Sequence, residues 1–550
     1  MPHWTTLVAE KKQRQLKSIP QEWLVTPPPL STLDVTGFPE SCGLLSAREI
    51  EITNTSVDVL LKRLASAEWT AVDITTAFSK RAIVAHQLVN CLTEIFIDRA
   101  LARAAELDDY LKKTGKVVGP LHGLPISLKD QLCIEGLETT MGYVSWIGQY
   151  AEKNAVLVDV LIECGAVPFV RTNIPQALMW PESFNSVFGR TTNPHNVSLT
   201  PGGSSGGEGA LIALKGSPLG VGSDIGGSVR IPSAFCGIYG LRPSYGRVPY
   251  CGARNSLEGQ DSILSVFGPM TNSLSGLKVF MKAVVDSKPW LKDPLAVRKK
   301  WDEDEYELAD HGSGKDLCFA IMWDDGVVVP HPPIRRSLEM TKAALQKAGH
   351  KGFSRLFPYR VVLIEWAVVD WKPIQHKLLG EIAWDIWNAG SAEDFLITTS
   401  VTGGITAYQL WQVQKLRQNI RKEYMDHWNA TASETGTGRA VDAIICPAAP
   451  FAAPPHGKNR YTNYTTVWNV LDYPATVFPV TTVDPTLDAR DEKDLPHRFY
   501  DQFDQDIYEM YDPEKFKNAP VCLQLVGRTL EEEAVIKMTE IVDAALAAAK

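Results

Sequence analysis

Long apolar runs are absent from this chain of 550 residues. No stretch approaches the ~20 consecutive apolar residues that a membrane-spanning helix needs. The first residues, MPHWTTLVAEKKQRQLKSIP, lack the apolar core of a signal peptide. The final AAAK matches neither a peroxisomal nor a prenylation signal. We therefore expect a cytoplasmic protein with no membrane partner.

Basic clusters and paired cysteines are also scarce. The 55 Lys and Arg residues are outnumbered by 64 Asp and Glu, and no basic run stands out, which argues against a nucleic-acid partner. The nine cysteines are scattered without CxxC spacing, as in a protein with reduced, buried thiols. Neither they nor the histidines show the spacing of metal ligands, so we expect no metal and no cofactor.

The composition is that of a folded globular protein, with 45% apolar and 22% charged residues. Length alone suggests about three or four domains. Apolar residues at helical spacing predict helices over 5–17 and 56–68. After long helical patterns over 79–113, a predicted strand at 126–128 is followed by a helix at 155–164 and a strand at 167–170. This alternation is typical of an α/β sheet.

Further elements are predicted along the rest of the chain. Strand patterns occur at 317–323, 360–366, 443–446 and 521–526, and helical patterns at 334–347 and 531–548. Trp384 and Trp387 are three residues apart on a predicted helix, and aromatic residues at that spacing usually belong to the core.

A glycine-rich loop holds two adjacent serines. In Gly202–Gly209, Ser204 and Ser205 lie between glycines, which permit positive φ angles and close approach to a ligand. A short helix is predicted next, over Ala210–Leu214, and the amino terminus of a helix carries a partial positive charge. Neither a Walker A nor a GxGxxG pattern is present, so this loop alone does not indicate phosphate binding.

A second loop, about twenty residues further on, contains a candidate nucleophile. Ile225, Gly226 and Gly227 precede Ser228 and can present consecutive backbone N–H groups to one point, as an oxyanion hole requires. A serine needs a base to become nucleophilic. The candidate is Lys129, which ends the apolar strand Pro125–Leu128, where burial would lower its pKa enough for it to accept a proton.

The residues resemble the amidase signature hydrolases, and within them the fungal acetamidase-like enzymes. The similarity is nearly letter for letter from Gly202 through Ser228 to Pro243, and it extends to Gly119–Asp130. The resemblance implies an α/β fold, an α/β/α sandwich with a large mixed central β-sheet covered by helices. We assign residues 1–75 to a helical preface and residues 76–550 to the amidase signature domain. Residues 286–316 and 351–440 carry no recognisable family pattern.

The same resemblance implies a catalytic triad. Ser228 would attack the amide carbonyl, and Ser204, which follows a cis peptide bond in this family, would relay its proton. Lys129 would accept the proton and later protonate the leaving amine. The implied oxyanion donors are the N–H groups of Ile225, Gly226, Gly227 and Ser228, and the implied supporting residues are Ser205, Asp224 and Arg230.

The expected substrate is a small molecule with a carboxamide group. Leu178, Met179 and Trp180 occupy a segment that lines the acyl pocket in relatives, and the bulk of Trp180 favours small aliphatic or aromatic acyl groups. Many relatives are dimers, so the resemblance allows a homodimer, although no residue pattern in this chain indicates one.

Two other functions fit parts of the sequence. Gly202–Gly206 also satisfies the GxSxG pattern of an α/β-hydrolase, with Ser204 as nucleophile. A histidine such as His122 or His456 would then be the base. However, the polar segment 196–201 ends in proline and does not have the character of the buried strand that precedes such a nucleophile. The other alternative is an amidotransferase-like subunit that works only with a partner, and the complete triad argues against an inactive scaffold.

Overall fold

The computed structural model describes residues 3–349, 354–357, 360–363, 367–389, 404–490 and 499–550. The chain divides into two compact units. The first unit comprises Met1–Glu258, Ser265–Trp301 and Ala453–Arg460, and the second comprises Gly259–Leu264, Asp302–Ala452 and Tyr461–Lys550.

The first unit contains ten of the described helices and eight of the described strands. The helices are α1 (Trp4–Lys17), α2 (Phe38–Ser41), α3 (Ala47–Asn54), α4 (Val57–Ala65), α5 (Ala71–Val89), α6 (Ile97–Thr114), α7 (Val156–Glu163), α8 (Gly206–Ala213), α9 (Arg230–Cys236) and α10 (Leu274–Asp286). The strands are β1 (Leu92–Ile95), β2 (Pro125–Lys129), β3 (Val167–Thr172), β4 (Phe184–Asn185), β5 (Gly189–Arg190), β6 (Leu219–Asp224), β7 (Tyr239–Arg242) and β8 (Val266–Thr271).

Six strands of this unit lie side by side in the order β1-β3-β2-β6-β8-β7, while β4 and β5 form a separate pair. Strand β2 is parallel to both of its neighbours, and the pairs β1–β3, β6–β8 and β7–β8 are antiparallel. Every residue of β2 and β6 is buried, as expected of central strands with both faces covered. Strand β2 therefore delivers its last residue, Lys129, to a position shielded from water.

The second unit has its own helices and strands. The described helices are α11 (Glu303–Tyr306), α12 (Pro332–Gly349), α13 (His376–Trp387), α14 (Ala407–Ala430), α15 (Asn463–Leu471), α16 (Gln502–Glu509) and α17 (Glu532–Ala549). The described strands are β9 (Cys318–Ile321), β10 (Ser354–Phe357), β11 (Arg360–Leu363), β12 (Ala367–Asp370), β13 (Ala443–Pro447), β14 (Ala475–Thr482) and β15 (Pro520–Val526).

Five strands of the second unit follow the order β14-β15-β13-β9-β12. The pairs β14–β15 and β15–β13 are antiparallel, and the pairs β13–β9 and β9–β12 are parallel. Helices α12 and α17 pack against β14 and β15. The predicted α/β architecture, a mixed β-sheet covered by helices, is confirmed.

Most of the predicted elements are present, with ends that move by a few residues. The predicted helices at 5–17, 56–68, 155–164, 334–347 and 531–548 correspond to α1, α4, α7, α12 and α17. The predicted strands at 126–128, 167–170, 317–323, 443–446 and 521–526 correspond to β2, β3, β9, β13 and β15. For the predicted strand at 360–366, β11 covers the first four positions, and 364–366 lie outside the described residues.

Two local predictions need correction, and one helix is additional to those predicted. The helical pattern over 79–113 is broken by strand β1, because Asn90 takes the left-handed conformation and ends α5. Helix α8 begins at Gly206, four residues before the predicted start at Ala210. The glycines at its start do not prevent helix formation, because close packing requires them. A Cβ atom at Gly207 would lie 2.4 Å from the backbone nitrogen of Asn173, so glycine is needed inside this helix. Helix α9 was not predicted.

Several broader expectations can be compared with the structure. Helix α5 runs through the proposed boundary after residue 75, and the division into a preface and a domain stays a prediction. No helix within the described ranges combines the length and apolarity needed to cross a membrane. Trp387 is 5% exposed and belongs to the core, whereas Trp384 is 44% exposed. Six cysteines are buried, and Cys251 is exposed.

Candidate active site

Lys129 occupies the end of a central strand. Its side chain is fully buried, and the strand that carries it, β2, pairs with β3 on one side and β6 on the other. A lysine is seldom buried to this degree without a specific partner. The position predicted for the base from the apolar sequence before it is therefore also the position that the fold shields from water.

Two serine hydroxyls contact the Lys129 amine. The Nζ atom donates a hydrogen bond to Ser204 Oγ at 2.7 Å and another to Ser223 Oγ at 2.8 Å. These serines come from different elements: Ser204 lies in the loop before helix α8, and Ser223 lies near the end of strand β6. The fold thus joins Lys129 and Ser204, two of the three predicted catalytic residues, through one direct contact.

Burial lowers the pKa of Lys129 to about 7, far below the value of a lysine in water. The carboxyl groups of Asp224 and Glu208 oppose this change because negative charge favours the ammonium form. The desolvation of the amine outweighs both carboxyl groups. Near neutral pH, a substantial fraction of Lys129 is therefore a neutral amine that can accept a proton.

The loop that carries Ser204 is fastened to the loop that carries Ser228. The peptide bond between Gly203 and Ser204 is cis. The N–H of Ser205 donates to the carbonyl oxygen of Ser228 at 3.2 Å. The hydroxyl of Ser205 also lies 3.3 Å from the N–H of Ser223, from which it accepts a hydrogen bond. Ser205 therefore links the loop of Ser204 by hydrogen bonds to Ser228 and to Ser223.

Asp224 organises the loop from Ile225 to Ser228. Its carboxylate accepts hydrogen bonds from the N–H groups of Gly227 at 2.8 Å and Val229 at 3.2 Å. The same carboxylate forms a two-pronged ion pair with Arg230, through Nε and a terminal nitrogen, each at 3.0 Å. Because the loop is wrapped around one buried carboxylate, the half-buried Ser228 has a fixed backbone.

One predicted oxyanion donor has a different partner. The N–H of Gly227 points to Asp224 and so helps to hold the loop in this structure. Ile225, Gly226 and Ser228 are each partly exposed, unlike the buried Gly227. The role of Ile225, Gly226, Gly227 and Ser228 as oxyanion donors stays a prediction.

The ion pair between Asp224 and Arg230 is fully buried on both sides. Replacing Asp224 with asparagine would leave the guanidinium of Arg230 buried without its counter-charge, so we expect the free energy of unfolding to fall by about 3–5 kcal/mol. Urea denaturation followed by circular dichroism would measure this. The matched control is Glu106→Gln, which breaks an exposed pair with Arg103 and should cost less than about 1 kcal/mol. Equal effects of the two changes would contradict the structural role of Asp224.

The predicted acyl-pocket residues lie beside the loop of Ser204. Ser183, which follows them, donates its hydroxyl hydrogen to Gly202 and accepts from the N–H of Gly206. The carbonyl oxygen of Trp180 approaches so closely that a Cβ atom at Gly203 would lie 2.7 Å from it. The segment that contains Leu178, Met179 and Trp180 is therefore held against the backbone on both sides of Ser204.

The three side chains of this segment differ in their surroundings. Leu178 is buried with Met141 and Ile174, while Met179 and Trp180 are half-buried. Ala177 and Leu178 both have positive φ angles, 62° and 63°, a conformation that costs free energy for residues other than glycine. Such backbone conformations concentrate at functional sites, which favours a role for this segment in binding.

Two neighbours of Lys129 were not identified from the sequence. Ser223 accepts a hydrogen bond from the amine, and the carboxyl group of Glu208 acts on its pKa. Glu208 lies in the glycine-rich segment 202–209 and Ser223 in the glycine-rich segment 222–228. Their proximity to Lys129 depends on how β2, β6 and α8 pack. The one sequence feature that could have identified them is a polar residue next to an apolar run: Glu208 precedes such a run, and Ser223 follows one.

The histidine alternative finds no support in the described contacts. The ring of His122 accepts a hydrogen bond from the N–H of Val118, and the ring of His456 contacts the carbonyl oxygen of Val197. The residues before Ser204 form no strand, whereas an α/β-hydrolase nucleophile follows one directly. Across the described residues, no group of three or more His, Cys, Asp or Glu side chains could hold a metal ion.

The sequence is similar to known proteins over nearly its whole length. The family described as Amidase matches residues 73–536. An acetamidase from Emericella nidulans is 40% identical over 554 aligned residues, which cover 98% of this chain and 97% of that protein. An acetamidase from Aspergillus oryzae is 41% identical, with 98% of both chains covered.

Solved structures show the same relationship. A fatty acid amide hydrolase superposes with a TM-score of 0.89 at 32% identity, covering 99% of this chain and 95% of that chain. A peptide amidase from Stenotrophomonas maltophilia superposes with a TM-score of 0.66 at 19% identity, covering 90% and 97%. The second similarity is one of fold.

Proposed function

The chain belongs to the amidase family of amide-hydrolysing enzymes, and we propose that it cleaves a small carboxamide through an acyl-enzyme on Ser228. The observation that carries the proposal is the 2.7 Å hydrogen bond between Lys129 Nζ and Ser204 Oγ in a fully buried setting. The backbone hydrogen bond between Ser205 and Ser228 supports the proposal, because it links the loop of the proposed nucleophile to the loop of Ser204.

Acylation begins with the neutral form of Lys129. A neutral amine retains two N–H donors and one lone pair, so it can donate to Ser223 while it accepts a proton from Ser204. Ser204 takes the proton of Ser228 in turn, and the Ser228 oxygen forms a bond to the amide carbonyl carbon. The carbonyl π electrons move to the oxygen, which becomes an oxyanion.

The loop held by Asp224 would stabilise that oxyanion. Backbone N–H groups of Ile225, Gly226 and Ser228 are the proposed donors, and their positions are fixed before the substrate arrives because Asp224 fastens the loop. Donors that need not reorganise during the reaction are the most effective stabilisers of developing charge. Asp224 and Arg230 act here by positioning the loop.

Collapse of the intermediate reverses the proton path. The ammonium form of Lys129 returns its proton through Ser204 to the nitrogen of the leaving group, the C–N bond breaks, and ammonia or an amine departs. Water then attacks the acyl-enzyme, with neutral Lys129 accepting a proton from it through Ser204. The bond between the Ser228 oxygen and the acyl carbon then breaks as Lys129 returns the proton through Ser204 to Ser228. The carboxylic acid product leaves and ionises to the carboxylate in solvent.

The pH dependence of kcat/KM should report the ionisation of Lys129. The base must be neutral, and its pKa is about 7. Below that pH the ammonium form predominates and cannot accept a proton, so we expect kcat/KM to fall about tenfold for each pH unit below the pKa. Initial rates on a neutral amide between pH 5 and about 9 would measure this limb. Activity that stays constant down to pH 5 would contradict a lysine base.

We propose a short aliphatic or aromatic acyl group for the substrate. The indole of Trp180 meets the ring of Phe184 edge to face, with centroids 6.5 Å apart, and the Arg190 guanidinium lies 5.0 Å from the Phe184 centroid. These contacts hold the indole of Trp180 in place, and the carbonyl oxygen of Trp180 lies against Gly203, the residue before Ser204. Two relatives at about 40% identity are acetamidases, which supports the same small acyl class.

A graded panel of amides tests the proposal. Purified protein would be given acetamide, an aryl acetamide, an indole amide and a long-chain amide, with release of ammonia or amine as the readout. We expect turnover of the small amides by the single chain without any added protein. Activity that appears only after addition of a second subunit would favour the amidotransferase alternative, and fastest turnover of the long-chain amide would contradict the proposed acyl class.

A further inference from the structure

Glu208 is a buried carboxyl group that the proposed mechanism leaves unused. It lies in the first turn of α8, four residues after Ser204, and it is fully buried. Its two oxygens accept hydrogen bonds from Ser127 Oγ at 2.6 Å and Thr172 Oγ1 at 2.9 Å. One side chain therefore connects the helix behind Ser204 to strands β2 and β3.

The positions of these partners relate directly to Lys129. Ser127 is two residues before Lys129 on β2, and side chains two residues apart on a strand lie on the same face. Thr172 is the residue of β3 paired with Lys129. The two hydroxyls that bind the Glu208 carboxyl thus come from β2, on the same face as Lys129, and from β3, at the residue paired with Lys129.

The absence of a side chain at Gly220 in strand β6 leaves room for the Glu208 carboxyl group. Gly220 of β6 is paired with Ser127. A Cβ atom at Gly220 would lie 2.2 Å from Glu208 Oε2 and 2.7 Å from Ser127 Oγ, distances that a real Cβ atom does not reach. Any larger residue at position 220 would displace the carboxyl, so glycine is required for this arrangement.

We infer that Glu208 is a positioning residue for Lys129, which fastens helix α8 to the strand of the lysine and, when ionised, favours the ammonium form of the amine. The inference rests on the proposed role of Lys129 as base. Through Glu208, the segment of Ser204 and the segment of Lys129 are joined at a second point beside their direct 2.7 Å contact.

The charges in this region support the electrostatic part of the inference. Burial raises the pKa of Glu208 to about 8, and the nearby Lys129 amine opposes that rise. In return, Asp224 and Glu208 both favour the protonated form of Lys129. Two interacting groups with pKa values near 7 and 8 lose their protons in coupled steps that belong to the pair.

The other ionisable groups around Glu208 are few among the described residues. Asp224 lies at the end of β6 and is neutralised by its ion pair with Arg230 of α9. The Cys91 thiol, on the segment after α5, has its pKa raised by burial and further by Glu208, and so stays protonated. Lys129 is therefore the group whose charge changes together with that of Glu208 near neutral pH.

The test compares the Glu208→Gln variant with the wild-type enzyme. Glutamine keeps the size of the side chain and removes its charge. In the wild type, the acid limb of kcat/KM against pH reports the ionisation of Lys129 with the Glu208 carboxyl group nearby. In Glu208→Gln the negative charge that favours the ammonium form is removed, so the limb should move by about half a pH unit or more toward lower pH. We also expect kcat to fall about tenfold with KM changed less than about twofold, because positioning of the base is weakened while substrate binding is retained.

A second variant covers the case in which Glu208→Gln does not fold. Thr172→Val keeps the shape of the threonine and removes one hydrogen bond to the carboxylate, so the carboxyl holds its proton more tightly and the limb should move in the same direction by a smaller amount. The control is Glu138→Gln, another buried glutamate, which is paired with Lys11 and Arg14. It should lower stability and leave the limb unmoved.

The outcomes separate this inference from the proposed function. If Lys129→Met is inactive but the limb is unmoved in both Glu208→Gln and Thr172→Val, the positioning role of Glu208 is wrong and the lysine mechanism stands. If Lys129→Met keeps full activity, the proposed function fails and the inference that rests on it fails too. A shifted limb in either Glu208→Gln or Thr172→Val, with the Glu138→Gln limb unmoved, supports the inference.

Discussion

The Ser228→Ala variant should lose at least about 10⁴-fold in kcat/KM on any amide that the wild type hydrolyses. Alanine has no atom that can form the acyl-enzyme bond, and the remaining residues cannot replace this covalent step. The backbone contact between Ser205 and Ser228 involves the Ser228 carbonyl oxygen, which alanine retains. The loop should therefore keep its conformation while the chemistry is lost.

Two measurements make this result specific to Ser228. Thermal denaturation should give nearly the same Tm for Ser228→Ala and the wild type, because no described contact of the side chain supports the fold. The control is Ser217→Ala, a change at a buried serine whose hydroxyl bonds the carbonyl of Leu219, and its activity should stay within about twofold of the wild type. Mass spectrometry of wild-type enzyme quenched during turnover should find the acyl group on the peptide that contains Ser228.

Equal turnover by Ser228→Ala and the wild type would rule out the proposed nucleophile. The next candidate would then be Ser204, which lies 2.7 Å from the lysine amine. Loss of activity in Ser204→Ala with full activity in Ser228→Ala would reverse the proposed roles of the two serines. Loss in both is the expected result, since one is the nucleophile and the other relays its proton.

The Lys129→Met variant should lose about 10²- to 10⁴-fold in kcat/KM, the usual contribution of a positioned general base. Methionine resembles the lysine stem in length, and it is apolar, so it suits a fully buried position. Initial rates at saturating and at low substrate would separate the effects, and we expect the loss in kcat with a small change in KM. Any residual activity should lack the acid limb near pH 7 that Lys129 gives the wild type.

The Lys129→Arg variant provides the matched control for charge. Arginine keeps a positive group and hydrogen-bond donors, but it stays protonated throughout the accessible pH range. It should be as inactive as Lys129→Met if Lys129 acts as a base. Recovery of most of the activity by Lys129→Arg would show that the position needs a positive charge, and would contradict the role of a neutral amine.

The chemistry-bearing residues could be predicted because their types and order carry the information. Two glycine-flanked serines, a lysine ending an apolar strand and a glycine-rich turn are local features, and the structure brings Lys129 and Ser204 into direct contact. The roles of these residues remain proposals until the variants are measured. The central strand β2 was also predictable, because a continuous apolar run indicates a strand covered on both faces.

Other features depended on contacts between distant segments. The start of α8 at Gly206 follows from its packing against Asn173, and the strand β1 follows from its pairing with β3. Helix propensity and apolar spacing describe a segment by itself, so neither could reveal a glycine-rich helix or a strand between two helices. Tertiary packing overrides local preference at such points.

By itself, the sequence determined the α/β class, the order of most elements and the candidate catalytic residues, because apolar periodicity and residue type can be read directly from the chain. Only the tertiary structure decided the environment of Lys129: its complete burial, its contact with Ser223, the carboxyl of Glu208 nearby and the engagement of Gly227 with Asp224. The proton affinity of a buried amine depends on desolvation and on charges brought from other segments, and these exist only once the strands and helices have packed together.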